Sequence, residues 1–259
     1  MDSAPETVLI TGASAGIGQS LAACFAGDQS HLILVARREE KLRQLARQLE
    51  ERYGVEVTVV VKDLTVAGAA EEIRQVLDQR QMAVDVVVNN AGFGEVGTVA
   101  EISLERQLEM VQVNVTAVTH LTRLFLPGMI RRGRGGILNV GSTAAFQPGP
   151  GMAVYYASKA YVLAFTEALA EELRGTGVTA TCLAPGPTYT EFGAVSGIES
   201  ARLFRLGAMD AAAVARAGVR GFRRRRTIVI PGPLNQLGAL SVRFVPRVVV
   251  RKIVRWLNT

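Results

Sequence analysis

The chain reads as an α/β fold, a doubly wound parallel sheet of about seven strands with helices on both faces. Short β-branched runs alternate with longer helical segments along the 259 residues, which is βαβ grammar. Several runs, such as Val-Asp-Val-Val-Val at 84–88, show little polar alternation, as strands buried on both faces require. The length suits one large α/β domain over 1–259 better than two ordinary ones. Right-handed crossovers then bring the C-terminal ends of the strands to a switch point where ligands bind.

Residues 7–11 form the first strand. Thr11-Gly12-Ala13-Ser14-Ala15-Gly16-Ile17-Gly18 follows, and a helical run at 19–26 comes next. Gly12 permits a tight turn, Gly16 lets backbone approach a pyrophosphate, and Gly18 allows close helix packing; the helix start offers N–H groups to anionic oxygens. Ser14 and Ile17 complete this loop. A lone GxxxGxG spacing is weak evidence, and the strand before and helix after it turn it into a Rossmann-type dinucleotide site.

The second strand, 31–36, ends in Ala36-Arg37-Arg38, where an NAD enzyme usually places a carboxylate on the ribose 2′-hydroxyl. Two guanidiniums there would hydrogen-bond a 2′-phosphate, so the expected cofactor is NADP(H). The bland alternative is that Arg37 and Arg38 only begin a solvated helix with Glu39 and Glu40. The third strand, 55–63, ends on Asp63, a candidate acceptor for the adenine amino group or a plain turn residue. Further strands are expected at 84–89, 136–141, 178–184 and 227–231.

Tyr155 and Lys159 stand four apart at the start of an amphipathic helix at 155–173, so both side chains share one face. A nearby ammonium stabilises a phenolate and brings its pKa toward the range for proton transfer, and Lys159 could also reach a ribose hydroxyl. Tyr156, three residues from Lys159, is expected to pack. Taken alone, such a pair is more often an exposed helix surface.

The wider set changes that reading. TGASAGIG at 11–18, Asn89-Asn90-Ala91-Gly92, Asn114 in a long helix, Ser142 ending the fifth strand, Tyr155 with Lys159, and Pro185-Gly186 stand in the order and spacing of one family. Residues 7–190 resemble the short-chain dehydrogenases/reductases. The resemblance implies Tyr155 as general acid/base and Ser142 as hydrogen-bond donor to the substrate oxygen. It implies Lys159 as pKa modulator and ribose ligand, and Asn114 as holder of a proton-relay water. Asn89, Ala91 and Gly92 would line the adenosine side. Pro185, Gly186, Thr188 and Thr190 would hold the nicotinamide, either threonine serving its carboxamide or the phosphates. The implied reaction interconverts a carbonyl and a secondary alcohol, and needs no metal. The alternative is a catalytically silent NADP(H)-binding sensor or scaffold; a sugar-nucleotide epimerase would want a further C-terminal substrate domain.

The resemblance also implies a variable substrate flap, about 187–215. It carries Phe192, Val195, Ile198, Leu203, Phe204, Leu206 and Met209, and with Phe93, Phe146 and Met152 it suits a hydrophobic ketone, a 3-oxoacyl chain or a steroid-like ring. The same residues could equally be core. A homodimer or homotetramer is expected.

Apolar residues make up 49% and charged residues 20%, enough for a buried core. Cys24 and Cys182 have no CxxC or His-rich context, so neither a disulfide framework nor a structural zinc is indicated. The N-terminal residues lack signal-peptide character, and a cytoplasmic location is expected. The net charge of +6 is uneven: thirteen of the 29 basic residues and one of the 23 acids fall in 201–259, leaving the remainder acidic. The segment at about 216–259 is therefore basic, apolar in alternation, and could lie on an anionic membrane, seal a subunit interface or be simply solvated. Nucleic acid is disfavoured, because aromatics among the basic residues are too few for stacking.

Overall fold

The computed structural model describes residues 5–198 and 207–258. Seven parallel strands lie in the order β3-β2-β1-β4-β5-β6-β9: β1 Thr7–Thr11, β2 His31–Ala36, β3 Val57–Val61, β4 Val86–Asn89, β5 Gly135–Val140, β6 Val178–Leu183 and β9 Ile228–Val229. The chain order reverses between β1 and β4, which register Val8 with Val86 and Ile10 with Val88. The loops leaving these two strands diverge to opposite faces and open a crevice between them.

Central strands are apolar on both sides because both sides are covered. Val8, Ile10, Leu34, Val86 and Leu138 pack on one face with α1 (Gly16–Gly27), α2 (Glu39–Tyr53) and a helix at Ala211–Arg223. Leu9, Ile33, Val87 and Ile137 pack on the other, against α3 (Ala69–Gln79), α5 (Ala117–Arg132) and α6 (Ala153–Glu172). Helix α4 (Leu104–Val111) runs through a π-helical turn at Gln112–Thr116 into α5. A two-residue parallel pair, β7 (Thr188–Tyr189) with β8 (Met209–Asp210), brackets α7 (Glu191–Ser196).

The strand endings differ from the sequence pattern by more than one residue in two places. β3 stops at Val61, two residues before Asp63, because Asp63 accepts from the Thr65 amide and hydroxyl, both at 2.9 Å, and turns the chain. The strand expected at 227–231 pairs only at Ile228 and Val229, since it is the sheet edge with a neighbour on one side. Helix α8 (Ala211–Arg223) precedes this strand, and α9 (Pro233–Ser241) and α10 (Arg247–Asn258) follow it. The basic C-terminal segment thus supplies part of the sheet and its covering before it reaches the surface. No helix among the described residues is long and apolar enough to cross a membrane.

Candidate active site

The phosphate loop is shaped by backbone. Gly12 and Gly16 sit at φ +64° and +57°, the left-handed region that side chains disfavour. No side chain caps the start of α1 and its first turn holds no carboxylate, so its N–H groups are left for an anion. Ser14, Gly16 and Ile17 line a cleft of ≈ 400 Å³ together with Arg37, Arg38, Asp63, Ala91 and Gly92. On its other side stand Ser142, Tyr155, Lys159, Pro185, Gly186, Thr188 and Thr190.

Gly18 and Asn89 do not line the cleft. Gly18 lies behind the loop, where a Cβ would collide with the Gly12 carbonyl and the Asn90 carboxamide. Asn89 is buried in the sheet, donating to Asn139 Oδ1 at 2.8 Å and Thr122 Oγ1 at 3.2 Å. Its neighbour Asn90 takes the cleft position, because successive residues of an extended chain point to opposite sides. The Asn90 carboxamide donates to the carbonyls of Thr11 (2.9 Å) and Gly12 (3.2 Å) and so pins the phosphate loop to β4.

The arginines after β2 do not simply open a solvated helix. Arg38 donates through Nη2 to Ser14 Oγ at 3.0 Å and through Nη1 to Glu191 Oε2 at 2.7 Å. Lys41 donates to the other Glu191 oxygen at 2.6 Å, and these two donors hold the Glu191 carboxyl below its ordinary pKa. Arg37 Nη1 stands 3.6 Å from Asp63 Oδ2. Neither Glu191 nor Lys41 stood out in the sequence. A carboxylate directly after Thr190, at the start of the flap and facing a basic strand end, was the available signal.

At the other end Ser142 stands two residues beyond β5 in extended backbone and accepts from the Ala144 amide at 3.1 Å, while its hydroxyl also engages the Tyr155 phenol. Tyr155 packs on Phe192, with ring centroids 5.3 Å apart, and edge-on to Tyr156. Lys159 Nζ donates to the Val140 carbonyl at 2.8 Å and lies 5.8 Å from the Tyr155 ring centre. Burial decides both protonation states. It pushes the phenol well above its ordinary value, against the Ser142 hydrogen bond, and brings the Lys159 amine from 10.5 down to about 8. The ammonium four residues away was expected to lower the phenol pKa; burial is instead the largest influence on it and raises it, which keeps the phenol protonated at neutral pH.

Asn114 sits in the π-helical turn rather than in regular helix. Its carboxamide donates to the Phe93 carbonyl (2.9 Å) and Ser158 Oγ (3.0 Å), and its oxygen accepts from the Phe93 amide (3.1 Å). It joins the β4 loop to α6, one layer behind the cleft wall. Thr188 Oγ1 donates to the Gly186 carbonyl at 2.9 Å, and Thr190 Oγ1 accepts from the Phe192 amide at 3.2 Å. Thr190 also abuts Gly16 across the loop.

The expected apolar lining divides. Phe93, Met152, Phe192, Val195 and Ile198 face the cleft. Phe146 lines a different cavity, and Met209 packs in β8 against the first core layer. Leu203, Phe204 and Leu206 lie outside the described residues. Tyr156 packs as expected, and its hydroxyl donates to Asn258 Oδ1 at 3.0 Å while Asn258 Nδ2 donates to the Pro150 carbonyl at 3.1 Å. The end of α10 is thereby tied to the loop in front of Tyr155.

A glycine loop at one end of a crevice, two arginines beside it, and Ser142 with the buried Tyr155 and Lys159 at the other define a dinucleotide-dependent oxidoreductase. The chain belongs to the short-chain dehydrogenase family, whose model, described as short chain dehydrogenase, matches residues 6–199. It is 40% identical over 189 residues to sulfoacetaldehyde reductase 2 of Chromohalobacter salexigens, covering 72% of this chain and 74% of that one. It is 37% identical over 190 residues to the NADP-dependent 3-hydroxy acid dehydrogenase YdfG of Salmonella typhi, covering 73% and 75%. Among solved structures it is similar to a short-chain dehydrogenase from Sphingobium yanoikuyae in complex with NADPH, with 33% identity, a TM-score of 0.83 and coverage of 92% and 93%.

Proposed function

We propose that the chain is an NADP(H)-dependent oxidoreductase that interconverts a carbonyl and a secondary alcohol on a hydrophobic substrate. The reading is carried by one arrangement: the phosphate loop and the Ser142, Tyr155 and Lys159 side chains open onto the same cleft. NADP(H), when bound, supplies or accepts the hydride. The residues fit it through the uncapped start of α1, the open turn at Gly12 and Gly16, and the guanidiniums of Arg37 and Arg38, positioned for a 2′-phosphate. The NADPH complex of the Sphingobium relative and the name of the Salmonella enzyme support the same choice.

In reduction Tyr155 gives its phenolic proton to the carbonyl oxygen while Ser142 donates a hydrogen bond to that oxygen. Both groups suit these roles, since burial keeps the phenol protonated and the Ala144 amide holds Ser142 in the turn after β5. Lys159, whose pKa of about 8 leaves it mostly charged at neutral pH, offers positive charge as the phenol loses its proton and a donor for a ribose hydroxyl. Asn114 acts behind them by fixing the Phe93 loop to α6, where it is also placed to hold a relay water. Thr190 serves the phosphates, since it abuts Gly16, and Thr188 serves the nicotinamide carboxamide beside Gly186. Ala91, Gly92 and Asn90 wall the adenosine side, with Asp63 accepting from adenine.

Around Tyr155 the wall is Phe93, Met152, Phe192 and Ile198, one apolar cluster. A ketone, 3-oxoacyl chain or steroid-like ring suits it better than the small anion in the name of the Chromohalobacter relative. The protein acts in the cytoplasm as one domain and as a homodimer or homotetramer; Leu104, Leu108 and Val111, exposed at helical spacing on α4, provide an apolar face for a second copy. NADPH consumption against a panel of aliphatic ketones, 3-oxoacyl thioesters and keto-steroids is the test. Turnover of at least one class, faster with NADPH than with NADH, is expected. NADPH binding without turnover of any would replace the enzyme by the sensor or scaffold.

A further inference from the structure

The C-terminal surface carries two features that the cleft does not use. α8, β9 and α9 enclose a second cavity of ≈ 640 Å³ at the outer edge of the sheet. Arg220 and Arg224 line it from the end of α8, Arg226 from the turn before β9 and Arg243 from the residues after α9. None of these four is in an ion pair among the described residues; it is the adjacent Arg223 that takes both Glu6 and Asp28. No Asp or Glu follows Asp210 anywhere in the sequence.

Beside this cavity the chain turns large apolar side chains outward. Leu234, Leu237 and Phe244 are 78%, 64% and 80% exposed, too open to be loosely packed core. On α10 the buried face is Val250 and Val254, while Val249, Ile253 and Trp256 recur at spacings of four and three on the outer side, with Arg251, Lys252 and Arg255 next to them. Eight exposed large apolar residues fall between 234 and 256, and one of them, Leu240, also lines the cavity beside Arg243. Isolated surface leucines need no explanation, but eight large apolar side chains exposed along one segment and interspersed with cations mark an interaction surface.

The charges choose the occupant. A second copy docking on this face by a two-fold axis would set Arg243, Arg247 and Arg251 against themselves with no carboxylate to meet them. An acidic protein would answer the arginines and leave the leucines and Phe244 in water. An anionic bilayer answers both, with phosphates at the level of the guanidiniums and an acyl boundary for the apolar side chains.

We propose that this surface, from the end of α8 to α10, docks the protein on an anionic lipid bilayer. Arg220, Arg224, Arg226 and Arg243 receive headgroup phosphates in the edge cavity, and Leu237, Phe244 and Trp256 enter the acyl boundary. Attachment is peripheral and reversible, and it is independent of which substrate the cleft takes.

Trp256 is the single tryptophan of the chain, so its fluorescence reports this surface and nothing else. The full-length protein is mixed with vesicles of phosphatidylcholine alone or of phosphatidylcholine with phosphatidylglycerol. Co-sedimentation with the mixed vesicles only, a blue shift of Trp256 emission and release by added salt are expected. Leu237→Ser with Phe244→Ser should abolish the blue shift, and alanine at Arg220 and Arg224 should lower partitioning by about fivefold per arginine. These side chains are exposed, so the melting temperature of each variant should stay that of the parent and serve as the folding control. Equal binding to neutral vesicles, no binding to either kind, or binding unaltered in Leu237→Ser/Phe244→Ser overturns the proposal. So does a mass in light scattering that drops in that variant without any vesicle binding, which would make the face a self-association surface.

Discussion

The two halves of the cleft handle charge in opposite ways. In the cofactor half Arg37, Arg38, Lys41, Asp63 and Glu191 are open to water, and their ion pairs are worth about 0–1 kcal/mol each. In the catalytic half Tyr155, Lys159 and Cys182 are buried, and burial is the largest cause that moves the phenol up, the amine down to about 8 and the thiol up to about 12. Where water enters, recognition depends on how many donors converge on an anion. Where it is excluded, the surroundings set the protonation state, and a single atom matters more.

That contrast orders the expected effects of mutation. Tyr155→Phe keeps the packing against Phe192 and Tyr156 and removes one hydroxyl, so turnover should fall by about 10²- to 10⁴-fold with NADPH affinity nearly unchanged. Near-normal turnover in the purified variant would break the contrast at its strongest point.

Next comes Arg37→Ala with Arg38→Ala. Hydrogen bonds to a charged group contribute about 1.5–3 kcal/mol each, so binding titrations should show NADPH weakened by one to a few orders of magnitude and NADH hardly at all. Equal losses for the two cofactors would reduce both arginines to surface residues.

Lys159→Met tests the buried half through stability. Folded Lys159 is held below its free value of 10.5, so its favourable contribution is complete above that pH and lost as pH falls through about 8. The parent therefore carries a buried charge at neutral pH that the methionine lacks. After allowance for the lost bond to the Val140 carbonyl, the variant should be more stable at pH 7 by about 2 kcal/mol while losing activity. The difference should shrink as pH rises from 8 toward 10.5; Cys182, at about 12, stays neutral through this window. Denaturant melts at several pH values measure it, and a variant less stable than the parent at pH 7 would show that the amine is stabilised rather than desolvated.

The smallest effect belongs to Glu191→Gln. Glu191 holds Arg38 and Lys41 in the absence of other anions, and a 2′-phosphate must compete with it. Its removal should tighten NADPH by about two- to fivefold, the range of an exposed ion pair, and leave NADH unchanged. Weaker NADPH binding in the variant would instead make Glu191 a positioning group for Arg38.

The fold was legible because periodicity and glycine placement are local. Strands at 7–11 and 31–36, the loop at 12–18 and the helix carrying Tyr155 and Lys159 all stand where the pattern put them. Errors arose where a one-residue step changes the side of the chain, as with Asn89 and Asn90 at the end of β4, or where an aromatic had two cavities to choose between, as with Phe146. Others were pairings too distant for any pattern. Arg38 with Glu191 and Tyr156 with Asn258 join residues separated by 153 and 102 positions.

By itself the sequence determined the sheet, its order of elements and the residue types brought to the crevice, because hydrophobic spacing and glycine conformation act within a few residues. It also determined the uneven charge, +12 beyond residue 200 and −6 before it. Only the tertiary structure decided that the phenol is raised rather than lowered, since desolvation depends on everything packed around Tyr155 and not on the lysine four residues away. It alone separated the basic residues into Arg223, paired with Glu6 and Asp28, and the neighbouring Arg224 and Arg226, turned into an open cavity. Charge is a property of composition, whereas the partner each charge finds is fixed by the distances that folding imposes.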